Sequence, residues 1–223
     1  MNKPIATIGY YSALTAFFAA SGYCVSQILQ VVKWIAFPWD DILIYGFSLC
    51  IAIPFMLALL ALHHTVPPQK KIWSHAALLL AILYAVYACF VYVVQLGAVL
   101  PKMIRGEADH IQVLVMAEHS FFWSLDALTY ICMGLSTLFA AFAVSGNPST
   151  KWLHIFFLAN ALLTPVVALV YFYPHFSIAL LLLATPWCIT VPGSMLLLAR
   201  FFRRKLKHSP ESIAYSSKVL VSH

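Results

Sequence analysis

Charged side chains are scarce in this sequence. Asp, Glu, Lys and Arg make up 9% of its 223 residues, whereas 63% of the residues are hydrophobic. Typical soluble domains carry about 25% charged residues. So few charges cannot cover a water-facing surface, and the composition therefore predicts a protein whose main solvent is lipid. We expect one transmembrane domain over residues 1–208 and a polar cytoplasmic tail over residues 209–223.

The sequence also lacks the common catalytic and cofactor motifs. It contains no P-loop, no GxGxxG, no nucleophile elbow and no HExxH. The five cysteines lie one in each of five apolar runs with no CxxC spacing, which is typical of small buried residues. These absences predict no cofactor and no catalytic residue set.

Two further classes of partner are disfavoured by where the ionisable residues lie. The basic residues cluster at helix ends and in the tail and form no stripe, so we expect no nucleic-acid partner. His63, His64 and His75 are predicted at one side of the membrane, and His110, His119 and His175 at the other. Metal ligands must converge at one depth, so no metal site is predicted.

Six long apolar runs are present, and each is long enough to cross a bilayer, which needs about 20 residues. They cover residues 5–32, 42–62, 73–100, 111–144, 152–173 and 176–202. The pattern predicts an all-α polytopic membrane protein with a bundle of six transmembrane helices. We expect Pro101 to end the third helix, residues 63–71 to form a loop, and Thr185-Pro186 to kink the sixth helix.

The basic residues are distributed unequally between the two sides of such a bundle. Three of them, Lys33, Lys102 and Arg105, fall on the side away from the N-terminus. The other ten fall on the N-terminal side, namely Lys3, Lys70, Lys71, Lys151, Arg200, Arg203, Arg204, Lys205, Lys207 and Lys218. The positive-inside rule then predicts that both termini are cytoplasmic, in a cell (inner) membrane.

The fourth run holds Asp126, the only acidic residue far from any predicted membrane edge. At helical spacing one face carries His119, Trp123, Asp126, Tyr130, Met133 and Thr137. A charged side chain at the bilayer centre costs about 2.5–3.5 kcal/mol on insertion scales. We therefore expect Asp126 to face protein or water.

Our leading hypothesis is that the protein binds or transports a small, partly apolar molecule or a lipid. Aromatic rings with a few polar anchors are the usual composition of a small-ligand site. The predicted ligand-binding residues are Tyr84, Tyr92, Gln95, His119, Trp123, Asp126 and Tyr130. Membrane lipids and a small-molecule ligand are the expected partners.

Three alternatives remain open from the sequence. Asp126 could be a structural tie that joins its helix to neighbours through Tyr or Gln side chains. The protein could be an intramembrane enzyme that uses Asp126 and His119 as acid and base, although these residues lie about 10 Å apart along one helix. It could also be a non-catalytic subunit that recruits a partner through its basic tail.

The third and fourth runs carry a sequence resemblance. Segments 92–95, 120–130 and 134–141, together with Pro101 and Gly106-Glu107, resemble a pattern found in small six-helix bacterial membrane proteins of domain-of-unknown-function families. The resemblance implies a six-helix fold in a prokaryotic inner membrane. It supplies no activity.

Overall fold

The computed structural model describes residues 3–107, 109, 111–175 and 177–207. Every regular element in these ranges is a helix. The α-helices are α1 (Lys3–Val31), α2 (Trp39–Thr65), α3 (Lys71–Val94), α4 (Leu100–Ile104), α5 (Phe121–Val144), α6 (Lys151–Phe172), α7 (Ile178–Leu183) and α8 (Trp187–Lys207). Three short 3-10 turns (Pro68–Lys70, Gln112–Leu114 and Pro148–Thr150) and one π-helical stretch (Gln95–Val99) complete the set.

These elements form six segments that are long and apolar enough to cross a membrane. The six are Lys3–Val31, Trp39–Thr65, Pro68–Ile104, Phe121–Val144, Pro148–Phe172 and Ile178–Lys207. The prediction of an all-α, multi-pass membrane protein is confirmed. The predicted tail, residues 209–223, lies outside the described residues.

The six segments form a closed ring in chain order. Each segment packs on the one before it and the one after it, and α8 packs on both α6 and α1. The core contains large side chains that are fully buried, including Phe55, Met133, Phe157, Met195 and Phe202. Because consecutive segments run up and down, the connections over residues 32–38, 105–120 and 173–177 lie at one end of the bundle. We call this the Asp126 end, since Asp126 lies in the second turn of α5.

The helix that carries Asp126 is shorter than the sequence predicts. It begins at Phe121, and the ten residues before it form a connection with one 3-10 turn. Ser120 is the N-cap, because its hydroxyl accepts a hydrogen bond from the backbone N–H of Trp123 at 3.2 Å. His119 has φ of 61°, which is left-handed backbone. The prediction that His119 continues the helical face is therefore wrong.

Two other predicted boundaries are also wrong. Pro101 does not end the third segment, which continues to Ile104. Pro101 lies directly after the π-helical stretch Gln95–Val99, and the helical backbone runs through it into α4 without a break. His63, His64 and Thr65 belong to the last turn of α2 and not to the loop that follows.

The sixth segment is interrupted where the sequence predicts a kink. α7 ends at Leu183 and α8 begins at Trp187, with Ala184, Thr185 and Pro186 between them. Proline lacks the N–H that a continuous helix would use and clashes with the preceding turn. Pro192, in contrast, lies inside α8.

Close contact between α5 and α6 depends on a missing side chain. A Cβ added at Gly134 would overlap the hydroxyl of Thr164 on α6. Small residues at such points let two helix backbones approach, which supplies the van der Waals contact that holds helices together in lipid. Gly46 in α2 differs, since an added Cβ there would meet nothing within 4 Å.

We therefore expect Gly134→Ala to lower the free energy of unfolding by about 1–3 kcal/mol, the usual effect of overpacking. The measurement is the thermal unfolding midpoint of purified protein in detergent. Gly46→Ala is the matched control, because it makes the same change in a helix with open space. Equal midpoints for the two variants would contradict the close α5–α6 contact.

Candidate functional site

Asp126 is buried and receives hydrogen bonds from two other helices. Its side chain is 5% exposed. One carboxylate oxygen accepts from the hydroxyl of Tyr92 at 2.6 Å, and the other accepts from the hydroxyl of Tyr171 at 2.5 Å. Thr129, one turn along α5, donates to the backbone carbonyl of Asp126 at 2.7 Å. Asp126 thus joins α5 to α3 through Tyr92 and to α6 through Tyr171.

Tyr171 is positioned by a second contact with α5. The indole Nε1 of Trp123 donates to the backbone carbonyl of Tyr171 at 2.9 Å, and the two rings lie 4.7 Å apart. Tyr171 is in the last turn of α6, where backbone carbonyls have no partner within the helix. Trp123 satisfies one of these carbonyls and fixes the backbone from which the Tyr171 hydroxyl reaches Asp126.

Tyr92, the other tyrosine that donates to Asp126, is also held in place by its neighbours. It is 4% exposed in the last turn of α3. Its ring stacks on the ring of Tyr45 from α2, with centroids 6.1 Å apart. The carboxylate of Asp126 is consequently held between two tyrosines whose rings are both packed in the bundle.

Gln95 binds the connection that precedes α5. Its amide nitrogen donates to the carbonyl of Leu114 at 2.8 Å, and its amide oxygen accepts from the backbone N–H of Met116 at 3.2 Å. Gln95 is 1% exposed. Both amide atoms have protein partners, so Gln95 positions the connection that lies at the Asp126 end.

A second aromatic group lies next to the Asp126 cluster. The hydroxyls of Tyr130 on α5 and Tyr23 on α1 are hydrogen-bonded at 3.1 Å. The ring of Trp187 on α8 meets both tyrosine rings edge-on, at 5.5 Å from Tyr130 and 5.3 Å from Tyr23. Tyr130 also packs on Tyr171 at 5.7 Å, which connects this group to Asp126.

The structure brings together some of the predicted ligand-binding residues and separates others. Tyr92, Trp123, Asp126 and Tyr130 belong to one connected cluster. Tyr84 is buried and packs edge-on against Phe55 at 5.3 Å. His119 is exposed in the connection before α5.

His119 therefore does not lie on the same helix as Asp126, as the predicted acid–base pair assumes. Both carboxylate oxygens of Asp126 are already bonded to tyrosines.

Two members of the cluster, Tyr171 and Tyr23, were not among the predicted site residues. The predicted site contains no residue of the first or fifth apolar run. Tyr23 lies eight residues before the end of α1, and Tyr171 lies one residue before the end of α6. Their positions near those helix ends are the only sequence signal that would have placed them at the depth of Asp126.

A cavity of about 280 Å³ opens beside this cluster. Its walls come from α1, α6, α7, the α7–α8 break and the start of α8, together with Tyr130. Tyr23, Tyr130, Tyr171 and Trp187 form its aromatic side. No residue that lines it carries a charge. The volume is just below the range of small-molecule sites, which is about 300–1,000 Å³.

Among the described residues, no three His, Cys, Asp or Glu side chains are placed to hold one metal ion. The described Cys24 and Cys188 lie next to each other across the α1–α8 contact, with the Cys24 thiol 3.8 Å from the carbonyl of Cys188.

The two tyrosines that donate to Asp126 should be energetically coupled to it, and the coupling can be measured. We expect Tyr171→Phe and Tyr92→Phe each to lower the free energy of unfolding by roughly 0.6–1.7 kcal/mol, the range for side-chain hydrogen bonds between membrane helices. Asp126→Asn has only one acceptor oxygen, so at least one of the tyrosine substitutions should become nearly neutral in that background.

The measurement is a double-mutant cycle from unfolding in detergent. Tyr173→Phe is the control, since Tyr173 lies outside α6 and is 47% exposed. Strictly additive effects of the Asp126 and tyrosine substitutions would show that the three side chains are energetically independent.

Comparison with known proteins identifies no relative of this chain. No protein-family description, no curated protein and no solved structure matches it. The resemblance to uncharacterised six-helix bacterial families thus stays an expectation. Only the geometry of the site bears on the function of the protein.

Proposed function

We propose that this protein binds a small, partly apolar molecule or a segment of lipid in the cavity beside Asp126. The observation that carries the proposal is the cavity itself, a space of about 280 Å³ with one aromatic, hydroxyl-bearing side and otherwise mainly apolar walls. Apolar walls with a few placed polar groups are the usual composition of small-ligand sites.

Access from the lipid supports this proposal. Ile28, Val32 and Leu182 all line the cavity, and they are 57%, 50% and 52% exposed. Exposed apolar side chains on a membrane-spanning bundle face hydrocarbon. The break between α7 and α8 adds Ala184 and Thr185 to the same wall. An apolar molecule dissolved in the bilayer could therefore reach the cavity sideways.

In this proposal Asp126 positions Tyr171 and does not itself contact the ligand. Asp126 does not line the cavity, whereas Tyr171 does. The carboxylate holds the Tyr171 hydroxyl, so the Tyr171 ring presents a fixed face to the space. The sequence-based hypothesis placed the pocket around Asp126 itself, and the proposed pocket is shifted by one side chain toward α1 and α8.

Filling the cavity tests the proposal. Ala184 lines it and Leu183, the preceding residue, does not. We expect ethylnaphthalene to bind protein in lipid nanodiscs saturably, at one molecule per chain, above its partition into empty nanodiscs. Ala184→Phe should abolish this saturable component, because the added ring occupies the space.

Leu183→Phe is the matched control, since Leu183 is 57% exposed and faces away from the cavity. It should bind the probe as the natural protein does. Equilibrium dialysis gives the bound amount in each case. If the natural protein takes up no more probe than empty nanodiscs, the proposed function is wrong.

We also propose that both termini face the cytoplasm and that the membrane is a prokaryotic inner membrane. The support is the asymmetry of basic residues, with ten on the side of the termini and three on the Asp126 end. Five of the seven acidic residues lie in or beside the connections at the Asp126 end, namely Asp40, Asp41, Glu107, Asp109 and Glu118.

Single cysteines test this orientation in intact bacterial cells, in a chain whose five cysteines are replaced by alanine. Glu107 and Asn147 are both exposed and lie in connections at opposite ends of the bundle. Glu107→Cys should react with a membrane-impermeant maleimide, and Asn147→Cys should react only after the cells are opened. The reverse pattern would place the termini outside.

A further inference from the structure

We propose that the ligand is a neutral molecule with a carbonyl oxygen, and that the Tyr23–Tyr130 hydroxyl pair is its anchor. This inference rests on the proposed function, because it names the class of molecule that the same cavity takes. It depends on which hydroxyl protons in the cavity wall are already used.

The hydrogen bond between Tyr23 and Tyr130 leaves one of their two hydroxyl protons free to be donated. Each tyrosine hydroxyl carries one proton, and the hydrogen bond between them, at 3.1 Å, takes only one of the two. Within the described part of the chain, neither hydroxyl has another hydrogen-bond partner. Both side chains line the cavity. One O–H group is therefore left to donate to whatever occupies the space.

Two other hydroxyls in the wall are already engaged as donors. The hydroxyl of Tyr171 donates to Asp126, and the hydroxyl of Thr185 donates to the carbonyl of Leu182 at 2.7 Å. Among the hydroxyls that line the cavity, the tyrosine pair is thus the one with a proton left to donate to the ligand.

The pair is held rigidly, which favours recognition of a fixed acceptor. Trp187 packs edge-on against both rings, and Tyr171 packs on Tyr130. Trp187 is itself 7% exposed. Donors that are already oriented lose little freedom on binding, so more of the hydrogen-bond energy appears as affinity.

The ligand should be neutral because the cavity offers no charged partner. None of its lining residues is Asp, Glu, Lys, Arg or His. An ion moved into such a space loses its hydration and gains no counter-charge. A carbonyl group meets both conditions, since it accepts a hydrogen bond and brings no donor of its own that would need a partner.

The test compares two probes of nearly the same shape. Methyl naphthyl ketone and ethylnaphthalene differ by one oxygen in place of two hydrogens. In nanodiscs, we expect the natural protein to bind the ketone roughly two- to tenfold more tightly, the factor for one neutral hydrogen bond, after correction for partition into empty nanodiscs. The Tyr23→Phe/Tyr130→Phe double variant should bind both probes equally.

Two controls make the outcome specific. The double variant should still bind ethylnaphthalene saturably at one molecule per chain, which shows that the cavity is folded. Gln27→Ala should keep the preference for the ketone. Loss of the preference in Gln27→Ala, with its retention in the double tyrosine variant, would overturn the assignment of the anchor.

The remaining outcomes separate this inference from the proposed function. Equal binding of the two probes by the natural protein would overturn the carbonyl inference and leave apolar binding in place. Saturable binding of neither probe would overturn both. A ketone preference that disappears only in the double tyrosine variant supports the inference.

Discussion

A carboxyl group inside a lipid-facing bundle must receive its hydrogen bonds from protein, and this requirement determines how three helices of this chain meet. Water is not available at that depth to replace a missing partner. Asp126 on α5 is supplied by one hydroxyl from α3 and one from α6. The two tyrosines join their helices to α5, and Trp123 extends the same network to the end of α6. Gln95, on the segment that carries Tyr92, separately binds the connection before α5.

The two ends of the bundle hold different side-chain contacts. Asp126, its tyrosines and the aromatic side of the cavity lie within a few turns of the connections at that end. The opposite end has simpler contacts, in which Lys70 donates to Ser145 at the end of α5, and Lys71 donates to the carbonyl of His63 near the end of α2. Lysine at a helix C-terminus satisfies free carbonyls and complements the helix dipole. The Asp126 end thus holds a buried carboxylate with its tyrosines, whereas the other end holds lysines that bind helix-terminal oxygens.

The sequence was sufficient for the number of spanning segments and for the interior position of Asp126, and insufficient for most of the site. Hydropathy and the cost of a charge in lipid are properties of one segment at a time. The contact between Asp126 and Tyr171 depends instead on the rotation of α6 relative to α5, which helical spacing within a segment does not contain. His119 was misplaced for a local reason, because Ser120 caps the helix and the residue before it adopts left-handed backbone. Pro101 was misread because a proline inside a helical segment looks the same in sequence as one that ends it.

Closure of the ring by its first and last helices has a consequence for biosynthesis. α1 precedes the other described helices in the chain, yet one of its two neighbours, α8, follows all of them. The seam between them includes Gly9, where an added Cβ would strike the ring of Phe202. Until residues 187–207 have left the ribosome, the face of α1 that packs on α8 has no partner within the chain. The cavity shares this seam, so the binding space forms only once α8 is present.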